Sequence, residues 1–249
     1  TKHTLFNIFN NAFIFFYMYI FFILKKYNNL IIPNIKNYKL NNKIKNPNND
    51  LMKNKLNIHL MYNDKFGYKI NVSHLFWVDD KLNYIYQDFE KAFKSVYKKK
   101  KFTLILLGKI LKTTSHINFI IYDNIKNIFK RFESYGAIDN DNEKDLDKFL
   151  KKNLTNLVES SKYISPSEYI NKFGFQNISE NLVIDEKLSD PGGFCMAWCF
   201  WYLEMRLLNE DLNNVKLINK SIKNIIKTKK SFTNYIRDYA NKLAYSIKD

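Results

Sequence analysis

Cysteine is scarce in these 249 residues: there are two, Cys195 and Cys199, four positions apart. So close a pair cannot form a disulfide framework, and a reducing compartment fits the chain best. Six glycines and four prolines exclude a collagen-like or linker-dominated architecture. Arginine is nearly missing, with only Arg131, Arg206 and Arg237 among 40 basic residues. That scarcity matters, because a net charge of +16 would otherwise point to a polyanionic partner. Phosphate and base recognition favour the planar, bidentate guanidinium, whereas abundant Lys, Asn, Ile, Tyr and Phe are what a low-GC coding bias produces. Specific nucleic-acid binding is therefore not expected, and the lysine run at 98–101 reads as a solvated loop. A mean hydropathy of −0.38 excludes a polytopic membrane protein, and 46% hydrophobic residues exclude a wholly disordered chain. A chain of this length can build its core without staples.

One apolar run stands apart. Residues 5–24 (LFNIFNNAFIFFYMYIFFIL) are almost wholly apolar apart from three Asn, and Lys25 and Lys26 end the run. About 20 apolar residues suffice to span a bilayer as a helix, but the small-residue cleavage site of a secretory signal is missing. Two readings stay open: a membrane anchor over 5–24, or an extension packed on the periphery. If the run spans, the following lysines mark the cytoplasmic side. Residues 27–50, rich in Asn, Lys and Pro, read as a polar linker between this segment (1–26) and a globular domain at 51–249. No internal repeat is visible.

Within that domain the pattern predicts an α+β fold. Residues 72–78 form a short apolar run, and 88–97 place Phe89, Ala92, Phe93 and Val96 at helical spacing. Residues 102–111 (FTLILLGKIL) and 116–122 (HINFIIY) read as strands. Asp123-Asn124 then form a turn, and 128–133 (IFKRFE) return as the second arm of a hairpin. An acidic start at 139–147 opens a helix to about Glu159. Asp190-Pro191-Gly192-Gly193 is a strong turn that feeds a helix at 195–208, apolar nearly all round and hence central and buried. One or two amphipathic helices fill 212–248.

Cys195 opens that buried helix directly after Gly-Gly-Phe. The positive end of a helix favours a thiolate, and the glycines allow a substrate carbonyl to approach backbone N–H groups. Cys199, one turn deeper, has no such access and reads as a small core residue. A thiolate needs a base. His3 lies in the N-terminal segment, and His59 and His74 have no acid at a telling spacing. His116 begins a strand whose hairpin partner brings back Glu133 near the same level, where a carboxylate can orient the imidazole and stabilise the imidazolium. Asp123 is a rival acid but sits at the far end of the strand, about 23 Å away at ~3.3 Å per residue.

The segments HINFIIYD, FKRFESYG and DPGGFCMAWCFWYLEMRL together resemble the cysteine proteases of the adenovirus-protease and ubiquitin-like-protein-specific protease clan, most closely the divergent versions carried by large DNA viruses. The likeness covers about 70–210, with its specific motifs at 116–136 and 190–208. It implies a papain-like cysteine protease fold of the adenovirus-protease type, in which the nucleophile heads a central helix packed on a small mixed or antiparallel sheet. Carried over, Cys195 is the nucleophile, His116 the general base and Glu133 the orienting acid. The clan's oxyanion-hole glutamine normally sits six or seven positions before the cysteine, where this chain has Leu188 and Ser189. Gln176, the only glutamine between acid and nucleophile, takes that role if about a dozen residues are inserted. Where the clan often has Trp after His, this chain has Ile117.

The implied activity is a thiol protease cleaving a ubiquitin-like protein or a viral polyprotein after a small residue, in the cytoplasm or the virion, with no metal or cofactor. Two competitors share these features: an acetyltransferase of the same fold using the same triad, and a catalytically inactive, membrane-tethered binding protein.

Overall fold

The computed structural model describes residues 12–33, 74–78, 81–84, 89–110, 115–137, 141–170, 174–176 and 194–246. Its elements in chain order are α1 (Ala12–Lys26), β1 (Leu30–Ile31), β2 (His74–Val78), β3 (Lys81–Tyr84), α2 (Phe89–Lys94), β4 (Phe102–Ile110), β5 (Ser115–Asp123) and β6 (Ile128–Phe132). There follow α3 (Asp141–Thr155), β7 (Lys162–Ile164), α4 (Cys195–Leu208), α5 (Asn214–Lys227) and α6 (Phe232–Ser246). The fold is α+β, as the order of apolar patterns predicts.

The strands form one mixed, seven-stranded sheet in the order β3-β2-β4-β5-β6-β7, with β1 pairing β4 beside β2. The predicted hairpin is there: β5 and β6 run antiparallel with Phe119 opposite Phe132 and Asp123 opposite Ile128. Asn127 ends its turn at φ 55°, a left-handed conformation that Asn tolerates. The Asn127 side chain accepts from Tyr122 Oη at 2.8 Å and donates to the Glu159 carbonyl at 3.1 Å.

β4 lacks a polar alternation because both of its faces are covered. Phe102, Leu104 and Leu106 join Phe119, Ile121 and Phe132 in a core shared with α1, α4, α5 and α6. Ile105 and Leu107 join Ile120, Tyr122 and Phe129 on the other face, under α2 and α3. α3 presents Leu146, Leu150 and Leu154 to that second core, with Glu143 one turn before them.

α4 is buried on all sides, which its sequence requires. Phe132 stacks on Tyr202 at 4.1 Å between ring centres, and Phe200 meets Phe119 edge-on at 5.1 Å. Each such pair adds about 0.5–1.5 kcal/mol beyond the area it buries. The buried Arg206 closes the helix C-terminus by donating to the Leu212 carbonyl at 2.6 Å and to Asn214 Oδ1 at 3.1 Å.

The N-terminal boundaries require correction. Tyr19, Ile20 and Ile23 of α1 are buried in the same core as α4, and so are Tyr27, Leu30 and Ile32. β1 pairs in parallel with β4, Leu30 opposite Phe102. Residues 27–33, expected to open a linker, are thus part of the sheet and core, because their apolar side chains have a protein surface to enter. Among the described residues, no helix is long and apolar enough to cross a membrane. Residues 34–73, which hold the rest of the expected linker and His59, lie outside the described residues.

Candidate active site

The strand pairing brings an imidazole to a carboxylate. His116 is the second residue of β5 and lies opposite Lys109 of β4. Glu133 follows directly on β6, which continues the hairpin register to the level of Asn118. His116 Nε2 donates to Glu133 Oε1 at 2.5 Å. The same oxygen accepts the Tyr135 backbone N–H at 3.0 Å. Oε2 accepts Asn118 Nδ2 at 3.0 Å and Lys109 Nζ at 3.3 Å. Glu133 is fully buried and His116 nearly so.

Burial works against charge on both groups, and the partners reverse it. Burial would lower the His116 pKa, but the Glu133 charge and the Cys195 thiol beside it push it up to about 10. Burial would likewise raise Glu133, yet His116, Lys109 and Arg131 hold it well below the usual carboxylate range. Both shifts favour the charged forms, imidazolium and carboxylate.

Cys195 is the first residue of α4 and half-buried. The His116 imidazole and the Ile117 backbone are the groups that bear on its thiol in favour of the thiolate. With Nε2 committed to Glu133, Nδ1 is the ring nitrogen left for the sulfur. Burial would raise the thiol, but the charge and hydrogen bond of His116 lower it below the ordinary value. Cys199 sits one turn along, fully buried, with its thiol directed at the Ile117 carbonyl at 3.5 Å. Burial pushes Cys199 well up. The two cysteines thus differ: the thiol of Cys195, at the helix start, is shifted toward the thiolate, and that of Cys199, in the core, away from it.

Gln176 lies against the chain that follows Glu133. Its N–H donates to the Ser134 carbonyl at 2.9 Å, and the Gly174 N–H donates to the Tyr135 carbonyl at 2.9 Å. The approach is so close that a Cβ on Gly174 would stand 2.2 Å from the Gly136 nitrogen and 2.4 Å from the Ser134 oxygen, both backbone atoms. Only glycine fits there. The buried Ser134 hydroxyl donates to Gln176 Oε1 at 2.7 Å, and Gln176 Nε2 donates to Tyr135 Oη at 3.0 Å. Tyr135 in turn lays its ring 5.0 Å from the His116 ring. Next to Gln176, Phe175 packs on Trp198, one turn into α4, at 5.1 Å.

The rival acid is elsewhere: Asp123, at the far end of β5, takes Lys130 Nζ at 3.6 Å and the Lys126 N–H at 3.1 Å. His74 begins β2, while His3 and the 190–193 turn lie outside the described residues. Among the described residues no cluster of His, Cys, Asp and Glu could hold a metal ion. Residue patterns alone do not single out Lys109, Asn118, Ser134, Tyr135 or Arg131. Parity was the available signal: Asn118 is two residues from His116 and Arg131 two from Glu133, so all four share one sheet face, and polar residues inside apolar strands need partners.

No protein-family model matches this chain. A curated protein of Acanthamoeba polyphaga mimivirus, named as ankyrin repeat protein L371, is 28% identical over 202 residues. That alignment takes in 73% of this chain, which spans only 26% of the relative's length. Among solved structures, the Chlamydia trachomatis effector Cdu1 bound to ubiquitin is similar at a TM-score of 0.44 and 12% identity, covering 95% of this chain and 92% of that one. A second Chlamydia trachomatis structure, ChlaDub1, gives 0.43 and 14% over 95% and 90%. The SUMO protease Ulp1 gives 0.34 and 13% over 92% and 75%.

Proposed function

We propose that this chain is a cysteine peptidase acting on a ubiquitin-like protein, with Cys195 as nucleophile, His116 as base and acid, and Glu133 as orienting carboxylate. The observation that carries this reading is the buried contact of His116 Nε2 with Glu133 Oε1 at 2.5 Å, and the charge of the same imidazole favours the thiolate of Cys195 at the start of α4. A thiolate beside an imidazolium is the ground state such a reaction needs. The Cys195 sulfur attacks the scissile carbonyl carbon, forming a C–S bond and an oxyanion. His116 passes its proton to the departing amine as the C–N bond breaks. Water then gives a proton to His116 and its oxygen to the thioester carbon, the C–S bond breaks, and the thiolate is restored. Gln176, its amide orientation fixed by Ser134 and Tyr135, supports the oxyanion in this reading.

The substrate class comes from the sequence resemblance, and ubiquitin, to which the Cdu1 structure is bound, is the first probe to try. A ubiquitin vinyl sulfone and a SUMO vinyl sulfone should label the wild-type chain, and Cys195→Ala should abolish labelling. Cys199→Ser should keep most of it. Labelling that follows Cys199 instead would overturn the assignment. Labelling of Cys195 by a small thiol probe alone would move the substrate to a polyprotein.

A further inference from the structure

Behind Glu133, on the face covered by α3, lies a buried run of charge that the reaction itself does not use. Lys109 of β4 donates to Glu133 Oε2 at 3.3 Å and also to Glu143 of α3. Arg131 of β6, 2% exposed, donates through Nε and Nη2 to both oxygens of Asp147 at 2.9 Å, and through Nη2 to Glu143 at 2.9 Å. Its remaining nitrogen, Nη1, donates to Asn118 Oδ1 at 2.7 Å. Tyr163 of β7 donates to Asp147.

The arrangement has a geometric consequence. Oε1 alone faces His116, and a carboxylate held only there can rotate and exchange its oxygens. The two donors on Oε2 prevent that rotation. Each donor is held in turn: Lys109 by Glu143, and Asn118 by Arg131, which takes the amide oxygen and leaves Nδ2 for Glu133. Charge is also matched. Lys109 and Arg131 stand against Glu133, Glu143 and Asp147, and the third cation is the His116 imidazolium.

We propose that Lys109, braced by Glu143, and Arg131, acting through Asn118, are positioning residues that hold Glu133 on His116 and set the pH window in which thiolate and imidazolium coexist. This rests on the assignment of Cys195, His116 and Glu133 made above. The groups that bear on the pair are Lys109 from β4, Arg131 from β6, Tyr135 just beyond β6, Glu143 and Asp147 from α3, Tyr163 from β7, and Cys195 and Cys199 from α4. Removing one positive charge makes the site more negative. Thiolate formation then requires a higher pH, and the imidazolium persists to a higher pH, so both steps move upward. Removing one negative charge moves both downward.

The test is the rate of iodoacetamide alkylation of Cys195 against pH in the full chain, with Cys195→Ala as the blank for Cys199. Wild type should show two inflections, the thiol below its ordinary value and the imidazole above. Lys109→Met should raise both by about one pH unit, and Glu143→Gln should lower both by a similar amount. Opposite shifts support the proposal, since loss of packing alone would lower Tm in both variants and move neither inflection. Unmoved inflections in folded variants overturn it. Should Lys109→Met fail to fold, Glu143→Gln, which keeps the side-chain shape, decides by its downward shift alone. A wild-type chain with a single inflection at the ordinary thiol value would instead overturn the triad assignment itself.

Discussion

Glu133 and Glu204 are both buried carboxylates, and each accepts four hydrogen bonds. Glu133 takes His116, the Tyr135 N–H, Asn118 and Lys109. Glu204, on α4, takes Tyr19 at 2.8 Å, Tyr239 at 2.7 Å, Tyr27 at 2.8 Å and Lys26 at 3.2 Å. Burial would raise both carboxylates, and in both the donors win and lower them. They differ in what the donors can do with their protons. Burial and the Glu204 charge push the Tyr19 and Tyr239 phenols up, which favours the protonated donors. Glu204 therefore joins α1, α4 and α6 as a fixed clasp. The leading donor on Glu133 is an imidazole whose other face meets a thiol, so there the same saturation serves a movable proton. Full satisfaction of a buried charge keeps the fold intact in either place; the identity of the donor is what distinguishes the proposed reaction centre from the clasp.

Substitutions at the two sites should separate these roles. Glu133→Gln should lower kcat by about two to four orders of magnitude and leave KM nearly unchanged, because the acid orients the base and touches no substrate. Steady-state kinetics on a fluorogenic ubiquitin-like substrate decide this, and a change confined to KM would assign Glu133 to binding. Glu204→Gln should cost about 2–3 kcal/mol of stability, since it leaves buried donors imperfectly paired, while kcat per folded molecule stays at the wild-type value. Chemical denaturation alongside active-site titration reads both quantities, and a loss of kcat in the folded fraction would join the two sites functionally.

The pH dependence of stability sharpens the contrast. Both carboxylates lie below their ordinary 4.5, so their stabilisation is present above that value and fades as the pH falls through the folded pKa. His116 moves the other way, from 6.5 up to about 10, so its contribution is full below 6.5 and fades as the pH rises toward 10. The wild-type denaturation midpoint should therefore decline on both sides of that interval. Glu133→Gln should reduce the His116 part of the alkaline decline, leaving only what Cys195 sustains, whereas Glu204→Gln should keep it whole and soften only the acid side. Identical profiles for the two variants would contradict the distinction. The smallest expected effect is that of Tyr239→Phe, about 1 kcal/mol for one hydroxyl among four donors, with no change in catalysis.

Much of the candidate site was legible because its signals are local. The spacing of 17 positions between His116 and Glu133 is that of a tight hairpin, whose turn is announced by Asp123-Asn124. The all-round apolarity of 195–208 marks a central helix, and a cysteine at its first position stands out as a thiolate candidate, although His116 is what lowers its pKa against burial. The back of the site was not legible. Lys109 meets Glu133 across 24 positions, and Ser134 meets Gln176 across 42, separations at which no local pattern specifies a partner. A lysine in an apolar strand and a glutamine in a loop look ordinary until the sheet and the Gly174 approach bring them to the acid.

The N-terminal segment marks the boundary between the two kinds of knowledge. Residue order alone marks 5–24 as apolar, 102–111 as an apolar strand and 195–208 as a central helix, and it sets His116 and Glu133 on the two arms of one hairpin. Only the tertiary structure decides that Tyr19 meets Glu204 across 185 positions, that Leu30 pairs beside β4, and that Arg131 steadies Asn118. Apolar periodicity measures the free energy of escaping water, which is non-directional and indifferent to the medium entered. A hydrogen bond or an ion pair is short-ranged and directional, so its partner is chosen by whatever the folded chain has already brought within about 3 Å.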